Sequence, residues 1–193
     1  MARPKSFDPE TVLAKAMDVF WEKGYEAASI SDLTAAMGIN RFSLYDTFGD
    51  KHTLYLKAMD SYSEKVVGPH VERVRAIDSL DALEAYFSMV IDYQHACEQS
   101  KCCMIHMAAT SLAMTDEAAR AMVVESRNQV QKAYRDMLQQ IKNKGELRDG
   151  IDLNDAAWLL SMAQSGLVSY STSPIPAESS KGAFRMLIDQ LRA

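Results

Sequence analysis

The chain has 193 residues, a hydrophobic content of 48% and a formal net charge of −5 at pH 7. This length and composition are ordinary for a globular chain with one compact domain or two small ones. The acidic balance argues against a polycation that binds nucleic acids or membranes without specificity, so any contact with DNA must be local. The sequence has no run of about 18 apolar residues and no apolar middle region of a secretory signal near its N-terminus, which predicts a cytoplasmic protein that does not contact the membrane.

Helical spacing of apolar residues extends along almost the whole chain, and no convincing run of strict alternation is present. The spacing therefore predicts an all-α fold. The first helix is predicted to begin after Asp8, which can act as its N-cap, with Pro9 at the first helical position. It is predicted to end at Gly24.

Three further helices are predicted in close succession, over 29–38, 40–49 and 50–79. Gly68 and Pro69 are expected to interrupt or kink the last of these, because proline cannot donate the backbone hydrogen bond that a helix interior needs. The second and third helices are joined by a tight turn that contains a glycine. This is the layout of a helix-turn-helix.

The second helix of a helix-turn-helix places the side chains of its N-terminal end against base edges, while the rest of the unit contacts phosphates. Asn40, Arg41, Ser43 and Thr47 have suitable side chains, since Arg can bridge guanine O6 and N7 and Ser or Thr can bond a base or a phosphate. Tyr45 and Lys51 are better suited to phosphates. The N-terminus of the following helix adds unpaired N–H groups that attract anions.

Two segments of this region resemble the tetracycline-repressor-like (TetR) family of transcriptional regulators: FWEKGYEAASISDLTAAMGI at 20–39 and LYDTFGDK at 44–51. Two later segments, KCCMIHMAATSLAMTDEAARAMV at 101–123 and KNKGELRDGIDLNDAAWLLSMAQSGL at 142–167, resemble the ligand-binding half of one branch of that family. The resemblance implies that Tyr45 and Lys51 hold phosphates, that residues 41–47 read bases, and that the C-terminal half binds an inducer and forms the dimer.

The expected architecture is an N-terminal three-helix helix-turn-helix domain at 1–50, joined to a C-terminal helical bundle at 51–193 for ligand binding and dimerisation. Phe42 departs from the small residue or proline that the family often has at this position, and Asp46 could accept a hydrogen bond from cytosine N4. The predicted DNA-binding residues are Arg3, Lys5, Ser29, Ser31, Asn40, Arg41, Phe42, Ser43, Tyr45, Thr47 and Lys51.

Charge is distributed unevenly in the predicted DNA-binding region. Residues 1–60 hold seven basic and nine acidic side chains, a net charge of −2, so no broad basic field is present. Arg3 and Lys5 lie on an N-terminal arm that can enter the adjacent minor groove. Arg41 and Lys51 flank the presumed docking face. We expect an affinity that depends on dimerisation and falls with salt in proportion to a modest number of phosphates per half-site.

The second half of the chain is predicted to form a bundle of helices at about 81–97, 102–113, 116–144, 153–171 and 177–192. Its apolar positions are rich in methionine and aromatic residues, and such an interior could admit a small apolar or aromatic effector. Taken one at a time, these residues favour ordinary core packing. The predicted pocket residues are Phe87, Met89, Val90, Tyr93, Cys103, Met104, Met107 and Met122.

The last two predicted helices carry more apolar surface than one partner helix needs. A two-fold homodimer would bury this surface as a four-helix interface, with Ala163 and Gly166 allowing close approach. Two recognition helices would then lie roughly 34–36 Å apart, the spacing of a palindromic site. The alternative is that both helices pack within the monomer. The predicted interface residues are Trp158, Met162, Ala163, Gly166, Leu167, Tyr170, Phe184, Leu187, Ile188 and Leu191.

The three cysteines are Cys97, Cys102 and Cys103, and an odd number with one adjacent pair indicates reduced thiols. A sensor of oxidants or electrophiles at Cys102 or Cys103 is an alternative, since Lys101 or a helix N-terminus could stabilise a thiolate. Buried cysteines, however, usually act as inert small hydrophobes. His95 and His106 lie near them without the tight ligand spacing of a metal site, so no metal is predicted.

No Gly-rich phosphate loop, nucleophile elbow or HExxH stretch occurs, so neither an enzyme nor a cofactor is predicted. A helical protein–protein adaptor would explain the apolar C-terminal helices but not the arrangement from Asn40 to Lys51. The sequence therefore favours a homodimeric regulator, expected to be a repressor, that binds double-stranded operator DNA and is released by a small-molecule effector.

Overall fold

A computed structural model describes residues 7–96, 103–170 and 175–193. Within these ranges the chain is α-helical apart from one isolated antiparallel bridge between Leu147 and Arg192, which confirms the all-α prediction. Among the described residues, a π-helix at Ser63–Val67 and a 3-10 helix at Leu112–Met114 accompany ten α-helices. The α-helices are α1 (Pro9–Ala27), α2 (Ile30–Met37), α3 (Arg41–Phe48), α4 (Lys51–Tyr62), α5 (Gly68–Arg75), α6 (Leu80–Ala96), α7 (Met104–Ala109), α8 (Glu117–Asn143), α9 (Leu153–Ser169) and α10 (Ala177–Asp189).

Side-chain caps begin the first four helices. Asp8, Ser29, Asn40 and Asp50 each accept a hydrogen bond from the backbone N–H three residues later. These bonds satisfy amides that have no partner within the helix. The caps explain why four separate helices form within the first 62 residues rather than one long one.

Two breaks in the helices were predicted from glycine and proline. At Gly24 the backbone leaves the helical region, with φ 75° and ψ 173°, as predicted, but a last turn continues to Ala27. Glycine adopts this positive φ without a steric penalty. Ahead of Gly68 and Pro69 the regular α-helical bonding is interrupted by the π-helix, and α5 begins at Gly68, while the backbone stays helical at Ser63 and Val67.

The described residues divide into two compact units. The first comprises residues 7–66 and 103–124, and the second comprises residues 67–96, 125–170 and 175–193. Contacts therefore place all of α4 and the segment 103–124 with α1 to α3, whereas the sequence places the domain boundary after residue 50. As a boundary of the DNA-binding function, residue 50 stays a prediction.

In the first unit, α1 packs against α2, α4 and α7. Phe20 of α1 is fully buried and meets the ring of Tyr55 of α4 edge to face, with 4.9 Å between ring centroids. Leu33, Leu44 and Leu54, which come from α2, α3 and α4, are also fully buried. Because α2 and α3 contribute to the same core as α1 and α4, their relative orientation is held by packing.

In the second unit, α6 packs against α10. Phe87 is buried there and stacks on Phe184 at 4.2 Å and on Tyr134 at 6.3 Å between ring centroids. The chain end is held in place as well: Arg148 N–H donates to the Leu191 carbonyl at 2.9 Å. The second unit thus has a core of its own, but it is smaller than the predicted bundle, because residues 103–124 pack with the first unit.

Candidate DNA-binding surface

The helices α2 and α3 form a helix-turn-helix whose turn is 38–40. At the turn, Gly38 adopts a left-handed conformation with φ 69°, which a side chain would disfavour. A capping box starts α2: Asp32 N–H donates to Ser29 Oγ at 3.0 Å, and Ser29 N–H donates to Asp32 Oδ2 at 3.0 Å. Lys23 of α1 binds the same carboxylate at 2.8 Å. Together with Ser29 it holds the pKa of Asp32 well below its ordinary value.

The short helix α3 has one buried side and one exposed side. Leu44 and Phe48 lie in the core of the first unit. Arg41, Phe42 and Tyr45 are exposed on the other side. Because Leu44 and Phe48 are four residues apart, they hold α3 along a single stripe and leave its N-terminal turn at the surface.

Arg41 and Tyr45 are neighbours on this exposed side. The guanidinium Nη2 of Arg41 lies 3.4 Å from the hydroxyl oxygen of Tyr45, and its central carbon lies 5.6 Å from the centroid of the ring. A guanidinium above an aromatic ring is attracted by the electrons of the ring face. The contact restricts the flexible arginine and brings its donors close to the tyrosine hydroxyl.

Lys51, at the start of α4, is also held by an aromatic ring. Its ammonium lies 4.6 Å from the centroid of Tyr25 and 3.4 Å from the backbone carbonyl oxygen of Glu26. Burial raises the pKa of Tyr25, and the neighbouring carboxylates of Glu26 and Asp50 raise it further. The phenol therefore stays neutral, and the charge available for a phosphate at this point is that of Lys51.

A hydrogen bond joins the start of α4 to the residue before α8. His52 Nε2 lies 2.8 Å from Asp116 Oδ2, and Asp116 Oδ1 accepts the N–H of Ala119 at 2.7 Å. The Ala119 bond and the His52 bond both lower the pKa of Asp116. The two residues are 64 positions apart in the chain, and no local pattern of the sequence indicates that they meet.

Not all of the predicted DNA-binding groups are equally available. The Ser29 hydroxyl is engaged in the capping box, and Asn40 Oδ1 accepts Ser43 N–H at 2.8 Å. Thr47 Oγ1 is buried and has no hydrogen-bond partner among the described residues. Ser31 is exposed. Arg3 and Lys5 lie outside the described residues. On α3 the side chains that remain most available are those of Arg41, Phe42 and Tyr45.

The predicted effector-pocket residues are divided between the two units. Phe87, Met89, Val90 and Tyr93 belong to the second unit, whereas Cys103, Met104, Met107 and Met122 belong to the first. Phe87 and Met104 are core residues, while Met89 and Tyr93 are exposed. Their joint role in one pocket stays a prediction.

Of the two cysteines considered as sensors, Cys103 is half-buried and directly precedes α7. Cys102 lies outside the described residues. In the part of the chain that the structure describes, no three His, Cys, Asp or Glu side chains come together in a way that could hold a metal ion. No described helix is long and apolar enough to cross a membrane.

The predicted dimer residues divide into a buried and an accessible set. Phe184, Ile188 and Leu191 are buried within the second unit. Trp158, Met162 and Tyr170 are exposed. An apolar hollow of about 230 Å³ opens on the same two helices, and its lining includes Ala163, Gly166, Leu167, Ala183 and Leu187. The accessible set and this hollow are the part of the prediction that a partner could cover.

A polar cluster that the sequence did not reveal lies within the second unit. His70 Nδ1 lies 2.7 Å from the Tyr86 hydroxyl, and its Nε2 lies 3.0 Å from Gln164 Nε2. Gln164 Oε1 also accepts the Tyr134 hydroxyl at 2.9 Å. Burial lowers the pKa of His70, the Gln164 hydrogen bond opposes this shift, and the charge of Arg73 adds to it. The neutral imidazole is therefore favoured.

These features define a DNA-binding protein of the helix-turn-helix class. Its residues 12–58 match the family model described as bacterial regulatory proteins, tetR family. Residues 79–173 match the model described as tetracyclin repressor-like, C-terminal domain. The chain therefore belongs to the TetR family and is a DNA-binding transcriptional regulator, which confirms the resemblance and the prediction that it is not an enzyme.

Relatives of known name agree with this assignment. The chain is 36% identical over 169 residues to the uncharacterized HTH-type transcriptional regulator YezE of Bacillus subtilis, covering 86% of each chain. It is 29% identical over 170 residues to the HTH-type transcriptional repressor ComR of Escherichia coli, covering 86% of this chain and 80% of the relative. A cysteine-substituted TetR family transcriptional regulator CifR, complexed with 26bp double-strand operator DNA, superposes with a TM-score of 0.82 at 25% identity, covering 98% and 100% of the two chains.

Proposed function

We propose that this regulator is a homodimeric, ligand-responsive repressor that binds a palindromic operator. The observation that carries the proposal is α3, which buries Leu44 and Phe48 and presents Arg41, Phe42 and Tyr45 outward. A helix that places donors and an apolar ring at its exposed N-terminal turn can read base edges, while Lys51 at the start of α4 is proposed to meet a phosphate. Two similar proteins support the proposal: ComR is named a repressor, and CifR was solved in complex with operator DNA.

The experiment for operator binding is selection of bound duplexes from a random DNA pool at near-physiological salt. We expect an enriched palindrome that the Arg41→Ala variant no longer selects, because Arg41 is the exposed side chain best suited to guanine. Lys15→Ala, which removes an exposed positive charge of α1 that is not among the predicted DNA contacts, is the control and should select the same palindrome. Recovery of DNA without enrichment from a folded dimer would contradict the proposed palindromic operator.

Dimerisation is proposed to use the accessible apolar face of α9 and α10. Met162 is 61% exposed on α9, close in sequence to the small residues of the apolar hollow. A charge there would have to be buried without a partner, at a cost of several kcal/mol. We expect Met162→Glu to sediment as a monomer and to lose operator affinity. Met114→Glu is the matched control, since Met114 is 70% exposed in the first unit. An unchanged dimer in Met162→Glu would exclude this face.

Ligand response is proposed as a coupling between an effector in the C-terminal bundle and the operator at α3. Thermodynamic linkage requires that operator DNA weaken the binding of the effector by the same factor by which the effector weakens the binding of the operator. The chain connects the two regions through α4, the π-helix and α5, so a change at 68–75 can be transmitted to Lys51 along continuous backbone. Isothermal titration with and without operator measures the factor, and an effector that left operator affinity unchanged would contradict the coupling.

An alternative signal is covalent modification of a cysteine by an oxidant or electrophile. Its support is the half-buried position of Cys103 before α7. The test is operator release by an electrophile in the parent and in Cys103→Ser and Cys102→Ser variants. Equal release in all three proteins would exclude Cys102 and Cys103 as the sensors.

The proposal also includes a cytoplasmic location, because thiols stay reduced in that compartment.

A further inference from the structure

Phe42 is the most exposed large hydrophobic side chain among the described residues, at 79%. It occupies the second position of α3, in the turn that faces outward. Leu44 and Phe48 already supply the contacts that hold α3 on the core. Packing within the monomer therefore does not account for a phenyl ring at this position, and the ring keeps apolar surface in water that binding can remove.

The chemistry of its phenyl ring limits what Phe42 can recognise. A phenyl ring offers neither a hydrogen-bond donor nor an acceptor, so it can distinguish bases only through apolar contact and shape. In the major groove the 5-methyl group of thymine is the apolar feature of a base edge, and contact with phenylalanine is one of its known modes of recognition. Arg41 and Tyr45 beside it carry the polar groups.

We propose that Phe42 selects thymine in each half-site by packing its ring against the 5-methyl group. The inference rests on the proposed operator binding and adds a specificity rule to it. The preference for thymine over other pyrimidines at one position of each half-site comes from a single methyl group. The hydrogen-bonding edge of the base is not required for it.

The methyl group can be removed without changing the hydrogen bonds of the base, because deoxyuridine differs from thymidine only by the missing 5-methyl. Each symmetric pair of thymines in the selected operator is replaced in turn by deoxyuridine, and Kd is measured for the parent and for Phe42→Ala. At one position we expect the parent to lose about fourfold per half-site, or about 15-fold for the symmetric pair, as expected for one buried methyl-sized group.

The variant Phe42→Ala should bind thymine and uracil operators equally at that position, and Phe42→Leu should keep part of the preference because its side chain is apolar. Met114→Ala, which removes a 70% exposed apolar side chain of the 3-10 helix and lies outside every predicted site, should keep all of it. Because Phe42 is exposed, circular dichroism and thermal unfolding of Phe42→Ala should match those of the parent.

Two results would overturn the inference. The parent could bind every uracil operator as tightly as the thymine operator. Phe42→Ala could also keep the parent's full preference for thymine; if it then weakens both operators by the same factor, the ring contacts the sugar–phosphate backbone instead. Each of these leaves operator binding itself intact, whereas a parent that selects no operator at all would overturn the proposed function as well.

Discussion

Replacement of Lys51 gives a quantitative test of the proposed DNA contact. In Lys51→Met the apolar stem is kept and the ammonium above the ring of Tyr25 is lost. If Lys51 binds one phosphate in each half-site, a dimer loses two phosphate contacts. Each contact contributes about 0.9 to the slope of log K against log salt, because a bound ammonium releases condensed counterions. The slope should therefore become less steep by about 1.8.

The difference is large enough to measure by fluorescence anisotropy between 50 and 200 mM salt. When the salt concentration rises fourfold over this range, the affinity of the parent should fall by a factor roughly twelve times larger than the factor for Lys51→Met. This ratio follows from the difference of about 1.8 in slope. Lys57→Met is the matched control, because Lys57 is an exposed lysine on α4 that is not among the predicted DNA contacts. It should leave the slope close to that of the parent.

The ring of Tyr25 should affect operator binding because it holds the ammonium of Lys51 in place. Tyr25→Phe keeps an aromatic face beneath Lys51 and should retain the affinity, whereas Tyr25→Leu removes it. A cation above a ring contributes about 0.5–1 kcal/mol at an exposed site, so Tyr25→Leu should weaken binding by roughly two- to fivefold per half-site with little change in salt slope.

An unchanged slope in Lys51→Met, in a folded dimer that binds operator, would refute the assignment of Lys51 to a phosphate.

Three further predictions concern stability. Ser29→Ala removes the capping box of α2 and should lower the free energy of unfolding by about 1 kcal/mol in urea, whereas the exposed Ser31→Ala should change it little. Phe87→Ala leaves a cavity between Phe184 and Tyr134 and should cost about 3–5 kcal/mol, enough to be seen as an early thermal transition; a cost below 1 kcal/mol would mean that the site collapses. Burial lowers the pKa of His70 below 6.5, so the unfolded chain binds its proton more readily than the folded chain does. The free energy of unfolding that depends on neutral His70 is complete above pH 6.5 and is lost as the pH falls from there toward the folded-state pKa. The parent should therefore lose more stability between pH 7 and 5.5 than His70→Gln does. Parallel curves of stability against pH for the two proteins would contradict this.

Much of the fold was predictable because it depends on neighbours in sequence. The caps at Asp8, Ser29, Asn40 and Asp50 act on amides three residues away, so residue type and spacing are sufficient to locate them. The break at Gly68 follows from the missing N–H of the proline beside it. The helix-turn-helix was predictable for the same reason, since a short capped helix after a glycine turn is a local pattern.

Only the tertiary structure decided which side chains meet and which stay accessible. An apolar stripe shows that a helix face will be covered but does not identify what covers it, so Phe87, Met89 and Tyr93 looked alike although only Phe87 is buried. Contacts between distant residues depend on how helices pack, as for Lys51 above Tyr25. The sequence by itself determined the helices, the turn and the residue types on α3. Packing decided that Thr47 Oγ1 is buried while the ring of Phe42 faces solvent, because the rotation of a short helix is set by the side chains that its neighbours bury.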